Sequence, residues 1–315
     1  MSSNATPSNL PSRRAALGLL ALSIAIGSVS FTLVKIALEE LSPLGVATGR
    51  VVVSALVFTW VVVRSPWRRT TIEPEHRWRV LLCGFGGSAV FHLLFNWGQQ
   101  YTSVAVSAVL MATFPVLVAG GEVVFLGHRL RQGQVVGLLL TTIGCLAIGL
   151  AGGGDGHSTT AGMVAVALAS LVWAAVTVAT RSITDHYDAW WLNTPGTVLG
   201  AVFIVLIDLP NLHEFGSLSV KGWLAVIWLG SASSAFIYFV MARVMTVISA
   251  TTTASLGTVV TPTSVVVAWL VLGNAPTMVE AIGGAIVIGG AVMVTRQPTA
   301  VADDLADLAA AGSAG

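Results

Sequence analysis

Ser107-Ala-Val-Leu-Met-Ala-Thr-Phe-Pro115 and Ala254-Ser-Leu-Gly-Thr-Val-Val-Thr-Pro262 are two apolar stretches, each ending on a proline inside a long hydrophobic run. Downstream of the first stand Gly127, Gly137 and Gly144, and downstream of the second Gly273, Gly283 and Gly290, so the glycines repeat at one offset of 146 residues. The proline pair departs from that offset by one residue. A spacing shared by three positions indicates an internal duplication, and this decides the architecture before any single residue does.

Around these stretches the chain is built for lipid. Of its 315 residues 55% are hydrophobic and 9% charged, and the mean hydropathy is +0.86, outside the range of ordinary water-soluble domains. About 20 apolar residues cross a hydrocarbon core, and ten such segments fit: 16–37, 44–63, 79–98, 102–126, 133–151, 161–180, 189–208, 221–242, 250–272 and 276–295. The reading is an all-α membrane protein of ten transmembrane helices. Five spans per copy is an odd number, so the second copy enters the membrane upside down, giving two inverted five-helix repeats at 16–151 and 161–296. Residues 1–15 read as a disordered cytoplasmic leader and 297–315 as a disordered cytoplasmic tail. The apolar run after Arg14 is too long, and lacks a small-residue cleavage site, to be a signal peptide.

Placing the N-terminus in the cytoplasm puts Arg13, Arg14, Arg64, Arg68, Arg69, Arg77, Arg79, Arg129, Arg131, Arg181, Arg243 and Arg296 on the cytoplasmic side, against Lys221 alone outside. That asymmetry follows the positive-inside bias and requires an even number of spans. Both termini are then cytoplasmic, in the cell (inner) membrane. The basic residues form no single patch, so no nucleic-acid partner is expected. Cys83 and Cys145 lie in separate apolar segments and read as packing residues, with no metal site.

The chain resembles the drug/metabolite transporter superfamily, specifically its ten-helix EamA-type transporters. The resemblance covers roughly residues 16–296 and is carried by Ser42-Pro43 leading to Arg50, Tyr101-Thr102-Ser103, Pro115, Leu126-Gly127-His128-Arg129-Leu130, Trp173-Ala174, Pro262 and Leu272-Gly273. It implies a secondary transporter of small organic solutes, a class that includes amino acids, nucleosides, sugar phosphates and toxic compounds. Two positions depart from the pattern: the glutamate expected after each of Gly127 and Gly273 is here His128 and Asn274.

Polar groups inside a bilayer need a partner or a wet cavity. On the third span Ser88, His92, Asn96 and Gln99 recur at helical spacing on one face, and His, Asn and Gln cannot hide on their own backbone as Ser and Thr do. A cavity lined by this stripe is the sharp reading; hydrogen-bonded packing against neighbours is the plain one. Ser170, Trp173 and Thr177 on the sixth span, Ser231, Ser234 and Tyr238 on the eighth, and Ser28, Thr32 and Lys35 on the first have compatible spacing. Ser103, Ser107 and Met111 on the fourth, with Ser255 and Thr258 on the ninth, complete a weakly polar interior suited to a small amphipathic substrate. Pro115 and Pro262 each delete a mid-helix bond and are candidate hinges. Gly45/Gly49 and Gly196/Gly200 have the spacing of close helix packing.

Charge within the spans is scarce. Arg50 lies about 9 Å into the second span and is expected to snorkel outward or to meet Glu39 or Glu40. Glu122 and Glu280 read as end-of-helix groups, which leaves His92 as the central titratable candidate and makes transport without a tightly bound ion an open option. No Gly-x-x-x-x-Gly-Lys-Ser loop is present, and the six histidines are isolated, so an ATP-driven pump and an intramembrane enzyme are not expected, nor a cofactor. The competing class is a passive channel or a non-transporting membrane interaction protein of the same fold. Monomer and homodimer are both open.

Overall fold

The computed structural model describes residues 11–65, 69–102, 107, 110–151, 159–272 and 277–296, with the side chains of Phe31, Thr32, Lys35, Gln99, Gln100, Ala268, Val271 and Leu272 outside that description. Ser103, Gly273, Asn274, most of the leader and the tail, and the side chains of Thr32, Lys35 and Gln99 therefore lie outside the described residues. Among the described residues every regular element is helical.

The helices are α1 (Arg13–Leu38), α2 (Pro43–Arg64), α3 (Arg77–Leu81, a π-helical stretch Leu82–Val90, and Phe91–Gln100), α4 (Phe114–Leu126), α5 (Gln132–Ala151), α6 (Thr160–Ile183), α7 (Ala189–Asp208), α8 (Val220–Gly230, π-helical Ser231–Phe236, and Ile237–Val244), α9 (Ala250–Gly257 and Val260–Leu272) and α10 (Met278–Arg296). Several of their starts are set by side chains that accept orphan amide protons. Ser42 caps α2 through Gly45 and Asp188 caps α7 through Trp190, and these two caps are themselves one repeat offset apart.

Eight helices among the described residues are long and apolar enough to cross a membrane. The two expected spans that fall short are those with the prolines. The fourth is a shorter apolar helix, Leu110–Leu126, with a turn at Thr113, and the ninth is interrupted at Thr258 and Val259. Each break sits just before its proline, where the missing N–H and the ring clash release a carbonyl of the preceding turn.

The inversion is visible in one contact. A Cβ on Gly137 would fall 2.7 Å from the Gly290 carbonyl oxygen, and one on Gly144 would fall 2.6 Å from that of Gly283. Gly283 and Gly290 are the repeat partners of Gly137 and Gly144, so the first glycine of one helix meets the second of the other. Equivalent helices α5 and α10 thus run antiparallel, with small residues letting their backbones touch. The other contacts between halves pair off in the same way: α2 with α7, α4 with α9, α3–α7 matched by α8–α2, and α3–α6 matched by α8–α1.

Successive helices alternate in direction, which gathers the arginine-bearing ends on one side. There Arg13 Nη2 donates to the Thr295 carbonyl at 2.7 Å, joining the start of α1 to the end of α10. At the opposite end Glu40 accepts from the Ser219 backbone and hydroxyl, each at 2.6 Å. These bonds, and to a smaller extent Lys221, hold its carboxyl below the usual range. Glu214 accepts from the Ser42 amide at 2.8 Å.

Candidate functional site

Two cavities of unequal size occupy equivalent places in the two halves. The larger, about 250 Å³, lies between α1, α2 and α3 and is lined by Val34, Leu38, Pro43, Val46, Ala47, Arg50, His92 and Asn96. The smaller, about 20 Å³, lies between α3, α6, α7 and α8, lined among others by Thr180, Asn193, Trp173, Thr177 and Tyr238. Adding the repeat offset to Val34, Ala47 and His92 gives Thr180, Asn193 and Tyr238. The second cavity is therefore the first one's counterpart, much smaller and lined by residues nearer the arginine-bearing end. His92 and Tyr238 meet at the pseudo-two-fold axis, Tyr238 Oη standing 3.5 Å from His92 Nε2 and donating to the Gly87 carbonyl at 3.1 Å.

Arg50 corrects the reading from sequence. It neither snorkels outward nor pairs with Glu39 or Glu40; Glu39 instead takes Lys221 at 3.4 Å. The guanidinium turns inward across the halves. Nε donates to Ser234 Oγ at 2.5 Å, and Nη2 reaches the Ser233 carbonyl and Oγ, both at 3.3 Å. Ser233 Oγ also accepts from Ser30 Oγ at 2.6 Å. A central arginine costs about 2.5–3.5 kcal/mol on insertion scales, and bonds to neutral oxygens offset part of that without neutralising the charge. Ser30 and Ser233 were missed because a serine's partner across helices leaves no trace in spacing.

The π-helical stretches explain which polar stripes hold together. Bonding from i to i+5 widens the turn, so residues four apart no longer share a face within Leu82–Val90 or Ser231–Phe236. Ser88 therefore leaves the expected stripe, bonds its own Gly84 carbonyl at 2.6 Å and packs against Gly200 on α7. Beyond the π stretch the ordinary helix resumes, and His92 and Asn96 do share the cavity; Asn96 Nδ2 donates to the Pro43 carbonyl at 3.3 Å. On α8, Ser234 and Tyr238 reach the centre, whereas Ser231 bonds the Ile227 carbonyl at 2.6 Å.

Trp173 sits in a ring cluster with Phe91 at 4.9 Å and Tyr238 at 5.6 Å and lines the smaller cavity. Thr177 lines the smaller cavity while bonding the Trp173 carbonyl at 2.8 Å. Ser28 bonds its own helix, and Ser170 faces Thr113 at 3.5 Å. Ser107, Met111, Ser255 and Thr258 line neither cavity. Ser107 and Ser255 are buried without a hydrogen-bond partner among the described residues, and Thr258 bonds the Ser255 carbonyl. Ligand atoms of Glu73, Glu75 and His76 gather within 4.8 Å at the arginine-bearing end, but His76 Nδ1 is already engaged by Tyr187 Oη at 2.9 Å.

Residues 14–150 and 160–296 each match the EamA-like transporter family. The chain belongs to the EamA-like transporter family. A probable terminal-alkyne amino-acid exporter of Streptantibioticus cattleyicolor is 26% identical over 282 residues, covering 88% of this chain and 92% of that protein. The uncharacterized transporter YdfC of Bacillus subtilis is 25% identical over 278 residues, covering 85% and 87%. A solved crystal structure superposes with a TM-score of 0.76 at 20% identity, over 90% of this chain and 97% of that one, which shows the fold. This chain is thus a multi-pass membrane transporter, and its family and relatives are transporters, not enzymes.

At the arginine-bearing end of this EamA-like transporter the halves are latched. Glu122, read from sequence as an end-of-helix group, is 1% exposed and accepts from the Ala250 and Thr251 amides at 2.8 Å each, capping α9 from α4. Gly127 takes φ 69°, which lets the chain turn back and brings His128 Nδ1 to 3.4 Å from Glu122 Oε1. Val118, Ala174, Val178, Met245, Ala250 and Ala254 pack beneath the latch. Glu280 is an end group as expected, accepting from the Thr277 amide at 2.7 Å.

Proposed function

We propose that this protein exports or exchanges small organic metabolites, amino-acid-like or drug-like solutes, by alternating access through its central cavity. The supporting observation is the pair of repeat-related cavities, about 250 and 20 Å³, that meet at His92 and Tyr238. In an inverted repeat, exchanging the conformations of the halves would close the first and open the second around one fixed centre. His92, Asn96, Ser234, Trp173 and Tyr238 form the wall shared by both states, and Thr177 joins it in the other state. Pro115 and Pro262 act as hinges, because α4 and α9 are already broken beside them. With both termini in the cytoplasm, as the arginine asymmetry favours, the open cavity faces outward and the protein lies in the cell membrane. The naming of one relative as an amino-acid exporter favours amino-acid-like solutes.

Proteoliposomes test this directly. Uptake of a labelled solute drawn from a metabolite pool is expected to saturate and to accelerate when unlabelled solute is trapped inside. His92→Ala and Asn96→Ala are each expected to weaken the best hit. A linear flux, indifferent to the trans solute, would identify a channel and overturn the carrier reading.

A further inference from the structure

We infer that Arg50 is an anion-recognition site that takes the carboxylate of the solute, so that this carrier selects carboxylate-bearing molecules with a short apolar tail. The inference rests on the carrier reading above and names the chemistry its cavity accepts.

Arg50 carries a charge that nothing in its surroundings neutralises. Its partners Ser233 and Ser234 are neutral, and among the described residues no carboxylate lies within ion-pair distance of it. The nearest acids by sequence, Glu39 and Glu40, are engaged with Lys221 and Ser219. These bonds use Nε and Nη2, so Nη1 carries no bond among the described residues, on a side chain that lines the cavity. A guanidinium edge of this kind is built to hold a carboxylate.

The rest of the cavity describes the remainder of the solute. Val34, Leu38 and Val46 offer an apolar wall, while His92 and Asn96 flank the cation. At about 250 Å³ the space falls below the ~300–1,000 Å³ of drug-sized sites, which fits a single amino acid or short-chain acid.

Architecture does not require the charge. The residue one repeat offset from Arg50 is Gly196, where α7 meets α3 backbone to backbone at Gly84. The same fold position thus carries no side chain in the other half, so the duplicated fold by itself does not call for a guanidinium there.

The test uses the purified full chain and three probes of one shape: L-leucine, its decarboxylated counterpart isopentylamine, and 4-methylpentanoate. Thermal stabilisation should appear with leucine and 4-methylpentanoate and not with the amine. Arg50→Gln should raise the apparent Kd for both carboxylates at least tenfold, and Arg50→Lys should recover part of the loss. Stabilisation of the wild-type protein by the amine alone, or by sodium chloride to the same extent at matched ionic strength, overturns the assignment, and neither measurement depends on the variants folding. An unchanged Kd in a folded Arg50→Gln protein also overturns it. Counterflow separates the two readings. Saturable exchange of amines only leaves the carrier standing and removes the Arg50 site. Carboxylate binding that Arg50→Gln abolishes, with no exchange of any probe, keeps the site and removes the carrier.

Discussion

The cavity between α1, α2 and α3 and its counterpart between α6, α7 and α8 are built on one plan, yet the first holds about 250 Å³ and the second about 20 Å³. Position by position, Val34 corresponds to Thr180, Ala47 to Asn193, Arg50 to Gly196 and His92 to Tyr238 in the duplication. Both halves keep a glycine on the opposing helix, Gly84 against Gly196 and Gly230 against the Arg50 backbone. The close helix approach is therefore common to both, and what differs is the chemistry laid over it. One side presents a cation, and the other presents neutral groups in a much smaller space.

The largest expected effect comes from breaking the shared approach. A Cβ on Gly84 would stand 2.5 Å from the Gly196 Cα, so Gly84→Val must push α3 from α7. It should cost about 3 kcal/mol, the upper part of the overpacking range, read as a fall in Tm in detergent. A Tm within a degree of the wild type would mean that the approach is not tight.

Glu122→Ala comes next. It strips two buried amides of α9 of their acceptor, about 2 kcal/mol for unpaired buried donors, and loosens the latch beside the smaller cavity. Thiol labelling of Asn193→Cys should quicken in this background, bringing the two cavities closer in accessibility; unchanged labelling would show that the latch does not hold that side shut.

Tyr238→Phe sharpens the comparison at the axis. It removes the hydroxyl that donates to Gly87, for about 1 kcal/mol, and should alter exchange more than Tm. The reverse pattern would make Tyr238 a packing residue.

The smallest effect is at the rim of the open side. Glu40 has its carboxyl held down in the folded state, first by the Ser219 hydroxyl and then by its amide. A depressed folded value contributes stability above the unfolded value and loses it as pH falls through the folded one. Protection of the Ser219 amide against hydrogen exchange, corrected for the intrinsic exchange rate at each pH, should accordingly fall on acidification below the ordinary carboxylate value of 4.5, and Glu40→Gln should remove that dependence. An identical acid response in the variant would exclude Glu40 as its source.

Much of this was legible in the chain itself. Lipid demands long apolar runs and satisfied backbones, so spans, duplication and the arginine asymmetry follow from composition and spacing; that the Gly137, Gly144, Gly283 and Gly290 repeat is where α5 and α10 touch was visible only in the structure. His92 and Asn96 were readable because they lie one turn apart in ordinary helix. Ser88 and Ser231 were misplaced because π-helical turns shift the register, which no 3.6-residue count detects. Arg50 was misassigned because its partners, Ser233 and Ser234, come from the other half, about 180 residues away. Local periodicity dictates which faces are apolar, but the partner of a buried charge and the volume left beside it depend on how two whole halves settle against each other, and only the tertiary structure decided those.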